Sequence, residues 1–276
     1  MKSYYLFPVT LCLLQSLSLA AADNHLSGSR AAAMANATVA LHDFWAISHN
    51  QAGIIGIETI AAGMFAGNRY MMAELVDASV AAIIPAAGGN LGVSMQYFGT
   101  EFYSESKAGI AYARPFGEKL STGVQLSYLY TSIAEGYGRT GTFLAEIGLI
   151  YEISPGLFLG THVFNPTRSV LKTTSNHQNV EDYISTIIRS GLGYHISKKV
   201  LLSLEVEKEM RHPPVPRVGI EYRLIESLHL RAGISNNPVL NTFGFGIRRG
   251  NLQLDISASH HYLLGYSQQA GLIYAF

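Results

Sequence analysis

Eight charged residues in the C-terminal half stand out by type and spacing: Glu205, Glu207, Arg217, Glu221, Arg223, Arg231, Arg248 and Asp255. Each falls on the polar phase of a stretch in which apolar and polar residues alternate, so they would share one side of a sheet. On adjacent strands such residues come within reach of one another across the ladder. Two chemistries fit. The planar guanidinium suits bidentate contact with a carboxylate or an anionic headgroup. Equally, four acids and four bases can neutralise one another and fill a confined interior. No catalytic spacing accompanies them. There is no Gly-x-Ser-x-Gly elbow, no His-Glu-x-x-His pair and no glycine-rich phosphate loop. His261 shares a strand face with Ser257 and Ser259, but no third partner is identifiable, and the ten histidines lack metal-ligand spacing. The sequence reads as a non-enzyme without a cofactor.

The elements that must position these residues are strands. Val124, Leu126, Tyr128 and Tyr130 oppose Gly123, Gln125 and Ser127, and Leu252, Leu254, Ile256 and Ala258 oppose Gln253, Asp255, Ser257 and Ser259. One face is large and apolar, the other small or charged. Six segments also share a Gly–Ile/Leu–x–Tyr pattern or a variant of it, beginning at Gly109, Gly148, Gly191, Gly219, Gly246 and Gly271, at intervals of 39, 43, 28, 27 and 25 residues. That is too irregular for a solenoid but suits hairpins whose loops vary on one side only. About fourteen strands are expected, over 56–66, 70–84, 90–98, 103–114, 120–131, 142–152, 157–164, 183–195, 199–209, 216–224, 227–235, 241–248, 251–260 and 266–276.

Connection lengths separate a membrane barrel from a soluble sandwich, which also alternates. Turns such as 86–89, 153–156 and 225–226 are short, whereas 132–141 and 165–182 read as long loops. Short turns on one side and long loops on the other is the layout of an outer-membrane barrel, with the termini on the short-turn side. The fold class expected is therefore all-β: a closed antiparallel transmembrane β-barrel of about fourteen strands with an N-terminal helical or irregular plug segment. Tyr112, Tyr151, Tyr194, Tyr222 and Tyr274 end strands just before short turns and would form an aromatic girdle at one depth, rings against acyl chains and hydroxyls towards headgroups. The terminal aromatic Phe276 resembles the signal used by outer-membrane assembly machinery.

Composition agrees. Lys plus Arg equals Asp plus Glu at 19 each, so no field gathers nucleic acid, and only 14% of residues are charged while 48% are hydrophobic. Residues 1–22 read as a cleaved signal peptide: Lys2, an apolar run, then Ala20-Ala21-Ala22 before a polar stretch. The single cysteine, Cys12, lies within it. No later run is long enough for a transmembrane helix. Three regions follow: the leader 1–22, a polar irregular segment 23–55, and a barrel 56–276.

Residues 28–54 carry a further signal. Gly28-Ser29-Arg30-Ala31-Ala32-Ala33-Met34, Val39-Ala40-Leu41-His42-Asp43 and Asn50-Gln51-Ala52-Gly53-Ile54 resemble the N-terminal signature of PorV/PorQ-like proteins, within the wider FadL-type group of fourteen-stranded barrels. Ala33, Phe44 and Gln51 depart from the usual Gly, Asp and Pro of that pattern. The resemblance implies a segment seated inside the lumen as a hatch, with Asn50, Gln51, Ala52 and Gly53 as its motif and Trp45 and Phe44 packed within. A segment under the barrel mouth is the alternative. Two functions follow: an accessory or docking factor for secretion-system components, as in type IX secretion, or a conduit for hydrophobic ligands. Expected partners are outer-membrane lipids and barrel-assembly machinery, with the cell outer membrane as location.

Overall fold

A computed structural model describes residues 24–72, 74–134, 138–175 and 178–276. The leader expectation for 1–22 lies outside the described residues. Among the described residues, sixteen strands follow an N-terminal segment: β1 (Ala61–Asn68), β2 (Val76–Ala86), β3 (Gly89–Gly99), β4 (Tyr103–Phe116), β5 (Leu120–Ile133), β6 (Gly138–Ser154), β7 (Leu157–Phe164), β8 (Val170–Ser175), β9 (Gln178–Tyr183), β10 (Ile187–His195), β11 (Val200–Glu209), β12 (Val215–Ile225), β13 (Leu228–Ser235), β14 (Leu240–Arg249), β15 (Leu252–His261) and β16 (Gly265–Ala275). Fourteen of them form one closed antiparallel barrel, and β8 and β9 make a separate hairpin in the connection between β7 and β10. Closure joins β1 to β16, from Ala61 opposite Ala275 to Asn68 opposite Gln268. A closed ladder leaves no unpaired edge, the condition for crossing a bilayer with strands.

The alternation decides which way each side chain points. Ile110 is 64% exposed while its neighbour Ala111 is 1% exposed, and the same period runs through the barrel wall. Outward residues are apolar, such as Val80, Leu126, Ile147 and Ile220. Most inward residues are small, polar or charged, the reverse of a soluble barrel, with apolar exceptions such as Leu129, Leu144 and Phe164.

Four boundaries differ from the sequence reading. The first strand starts at Ala61 rather than at 56, because Gly56 closes a 3-10 turn over 51–56, which Asn50 Oδ1 caps by accepting from the Ala52 amide. The second strand starts at Val76, since 69–75 close a turn through the Arg69 amide and the Leu75 carbonyl. Residues 132–141 are mostly ladder: β5 runs to Ile133 and β6 starts at Gly138, with Thr131 paired to Thr140, β-branched residues that suit strands. The eighth barrel strand starts at Ile187, with Tyr183 in β9 instead. The long-loop character of that side therefore rests mainly on 165–186.

Candidate functional site

Residues 24–60 supply the interior. A short helix, α1 (Ser29–Ala33), contacts β13 to β16, and the 3-10 turn 51–56 contacts β3 to β6 on the opposite wall. Met34, Ile47, Asn50, Gln51, Ala52 and Ile54 are buried completely. The segment runs from the long-loop half of the lumen, where His25 stacks on Phe98, to the short-turn mouth at β1. Inward glycines admit it. A Cβ on Gly123 would collide with the backbone of Gln51 and Ala52, and one on Gly160 with that of Val39 and Ala40. Glycines of the Gly–Ile/Leu–x–Tyr pattern do the same, since a Cβ on Gly148 would strike Asn50 and one on Gly219 Met34, while the pattern's tyrosines face outward.

Within the segment, Asn50 Nδ2 donates to the Val39 carbonyl at 2.6 Å and to the Leu149 carbonyl of β6 at 3.1 Å. Gln51 donates to the Ile47 carbonyl and, at 3.0 Å, to Glu146. Gly53 sits where a Cβ would strike the Leu41 carbonyl and Ala46. Trp45 packs edge-on to Phe44 and Phe65, and its amide donates to Asp43 at 2.7 Å. Burial pushes the His49 imidazole down to about 4, and the neutral ring links Ser27 and Thr38: one nitrogen lies 2.7 Å from the Ser27 carbonyl, the other 3.2 Å from the Thr38 hydroxyl.

Three wall carboxylates hold this segment. Glu221 of β12 takes a bidentate contact from Arg30 at 2.8 and 2.9 Å, and Arg30 also donates to Asp43 at 2.6 Å. Glu205 of β11 accepts from the Thr38 and Val39 amides, both at 2.9 Å. Glu146 of β6 accepts from Gln51 and lies 3.4 Å from Lys107 and 3.2 Å from His162. The remaining charges close the circuit. Arg231 joins Glu221 and Asp255, both at 2.5 Å; Arg217 joins Glu207 at 2.7 Å and Glu205 at 3.4 Å; Arg189 joins Glu207 at 2.7 Å. Buried charges persist only when paired in this way.

Six of the eight charges singled out in the sequence come together here, and two do not. Arg223 donates to the Lys198 carbonyl at a short turn, and Arg248, exposed at the mouth, donates to Gln253. Both lie near the short-turn ends of their strands, outside the buried carboxylate network. Arg30, Asp43, Lys107, Glu146, His162 and Arg189 were not singled out. A signal existed for three of them: Lys107, Glu146 and Arg189 each stand two residues before a motif glycine, on the inward phase, as Arg217 does.

Below the segment, a polar vestibule of about 510 Å³ opens at the short-turn end, lined among others by Arg30, Asp43, Glu221, Arg231 and Arg248. Above it, Leu129, Leu144, Phe164, Leu171, Ile184 and Ile187 pack into an apolar cap under the long connection 165–186. On the outer wall, β2 to β6 form an apolar groove of about 600 Å³. At its floor Ser94 pairs with Gly109, and Ala81 with Ser94, so side chains are small there. Tyr151, Tyr194, Tyr222 and Tyr274 point outward, 39–44% exposed, close to the short turns; Tyr112 shares the phase of Ile110 and donates to the Ala87 carbonyl. Phe276 packs edge-on to Tyr274 and donates its amide to the Ile60 carbonyl.

No protein-family model and no curated protein matches the chain. Solved structures do. The Pseudomonas putida toluene transporter TodX matches at 12% identity and a TM-score of 0.69, over 92% of this chain and 99% of that one. The CymD monoaromatic hydrocarbon channel matches at 12% identity and 0.66, over 91% and 97%. A Pseudomonas aeruginosa FadL homologue matches at 9% and 0.64, over 91% and 98%. Likeness at this level of identity shows architecture, and the architecture is that of the FadL-type outer-membrane barrel.

Proposed function

We propose that this protein is a conduit for small hydrophobic molecules in the outer membrane. The reading draws on the transport function in the names of these structural neighbours, and it takes precedence over the secretion-docking role, which none of those three names carries. The observation that carries it is the apolar cap. A barrel that needed only to be filled would be served by the salt-bridged network, yet Leu129, Leu144, Phe164 and Ile187 turn apolar side chains inward at the long-loop end. An apolar lining at that end favours an apolar permeant over a polar one.

The route then turns sideways. Straight descent meets the three carboxylate latches and a polar vestibule, both costly for a hydrocarbon. The wall at Ser94 and Gly109 separates the upper lumen from the outer groove with little side-chain bulk. Liposomes containing the full chain should take up a small aromatic hydrocarbon, and Gly109→Phe, which wedges a ring towards Gln125 and Ser127, should slow that uptake without unfolding the barrel. Absence of uptake by the unaltered protein would end the conduit reading. Delivery to the membrane by export and barrel assembly belongs to the same proposal, with Phe276 as the assembly signal.

A further inference from the structure

The long-loop end of the β16–β1 seam carries an apolar cluster that the lumen does not use. Tyr262, Leu263 and Leu264 of the β15–β16 turn are 79%, 78% and 53% exposed, and Met71 of the β1–β2 connection is 64% exposed. These tips are built, not loose. His261 Nδ1 accepts from the Leu263 and Leu264 amides at 3.1 and 3.2 Å, and its ring meets Tyr70 edge-on. Tyr70 and Met71 both hold left-handed backbone, φ 56° and 57°, a conformation unfavourable to side-chain-bearing residues, and the Tyr70 amide donates to Ser267. Backbone strain and a histidine are committed to presenting bare apolar side chains. Patches of this kind mark a contact surface.

Strand lengths say which surface. On β16 the outward face from Tyr274 to Tyr266 is apolar except for Gln268, and on β6 the outward apolar band runs from Tyr151 to Phe143, nine residues each. Their eight strand rises, tilted as in membrane barrels, span about 20 Å. Beyond that band β6 and β5 continue as ladder, and their outward residues there, Arg139 opposite Ser132, are polar. On the other side β16 ends at Gly265, and the tips begin at once. They are therefore continuous with the lipid-facing wall, at its outer rim, and carry no charge between 262 and 266.

We infer that the 70–72 and 262–264 tips insert into the outer leaflet as an apolar anchor, while the β5–β6 hairpin stands above it in water. The partner is a lipid surface. The test places tryptophan at Leu263, and separately at Ser132, in the full chain reconstituted in phospholipid vesicles carrying bromine on the acyl chains, with the unaltered protein supplying the background of the lumenal Trp45. Leu263→Trp should lose most of its added emission to the brominated chains and resist aqueous acrylamide; Ser132→Trp should do the reverse. Leu264→Trp serves if Leu263→Trp fails to fold. Lipid quenching at 263 no greater than at 132, or free access of acrylamide to 263, would overturn the anchor and leave the cluster as a surface for another protein.

Discussion

Glu221 accepts from Arg30 of the N-terminal segment and from Arg231 of the wall, so it ties filler to barrel at one point. Arg231 in turn reaches Asp255, with 3% of its side chain exposed. Removing it strands the buried Asp255 without a cation and leaves Glu221 with Arg30 alone. Arg231→Ala should therefore cost about 3–5 kcal/mol in urea unfolding of the vesicle-bound protein. Arg248→Ala should stay within about 0.5 kcal/mol, because its side chain is exposed and its partner is Gln253. Sequence alternation placed both arginines on one face and so treated them alike. It carries no depth, and depth separates them: Arg231 lies mid-strand, Arg248 beside a turn. The latches contributed by Arg30 and Asp43 were illegible for another reason. They sit in a segment without period, where nothing local indicates which wall each side chain meets.

Strand identity was legible because the 2-residue period is imposed by lipid on one face and a polar lumen on the other. Strand ends were less so. Ser132, Arg139 and Gly141 interrupt the outward apolar phase, and 132–141 read as a loop, yet the ladder continues above the apolar band. The period makes its own prediction. Ile220, 44% exposed on the outward face of β12, should tolerate lysine poorly, losing about 2–4 kcal/mol if it lies near the bilayer midplane and less towards the interface, as read by unfolding from vesicles. The inward face is constrained by the filler instead. Gly160→Val must displace the backbone of Val39 and Ala40, and about 1–3 kcal/mol of destabilisation is expected in the same assay.

Across the whole molecule, the filled lumen and the sideways route make one account. The segment 24–60 is fixed at Glu146, Glu205 and Glu221, on three different strands, and fitted against inward glycines. On the proposed conduit reading, a filler so held acts as a floor, and apolar cargo entering from the long-loop side would leave through the wall of β3 and β4. Ser27 of the segment and Ser79 of β2 lie with their hydroxyls 2.6 Å apart, in a chain whose only cysteine is Cys12. The paired variant Ser27→Cys with Ser79→Cys can therefore lock the filler to the wall under oxidising conditions and release it under reducing ones. Uptake of a small aromatic hydrocarbon by liposomes containing this variant is the most direct test. The account predicts equal uptake in both states; uptake that stops on oxidation and returns on reduction would show that cargo passes the moving segment and would contradict it.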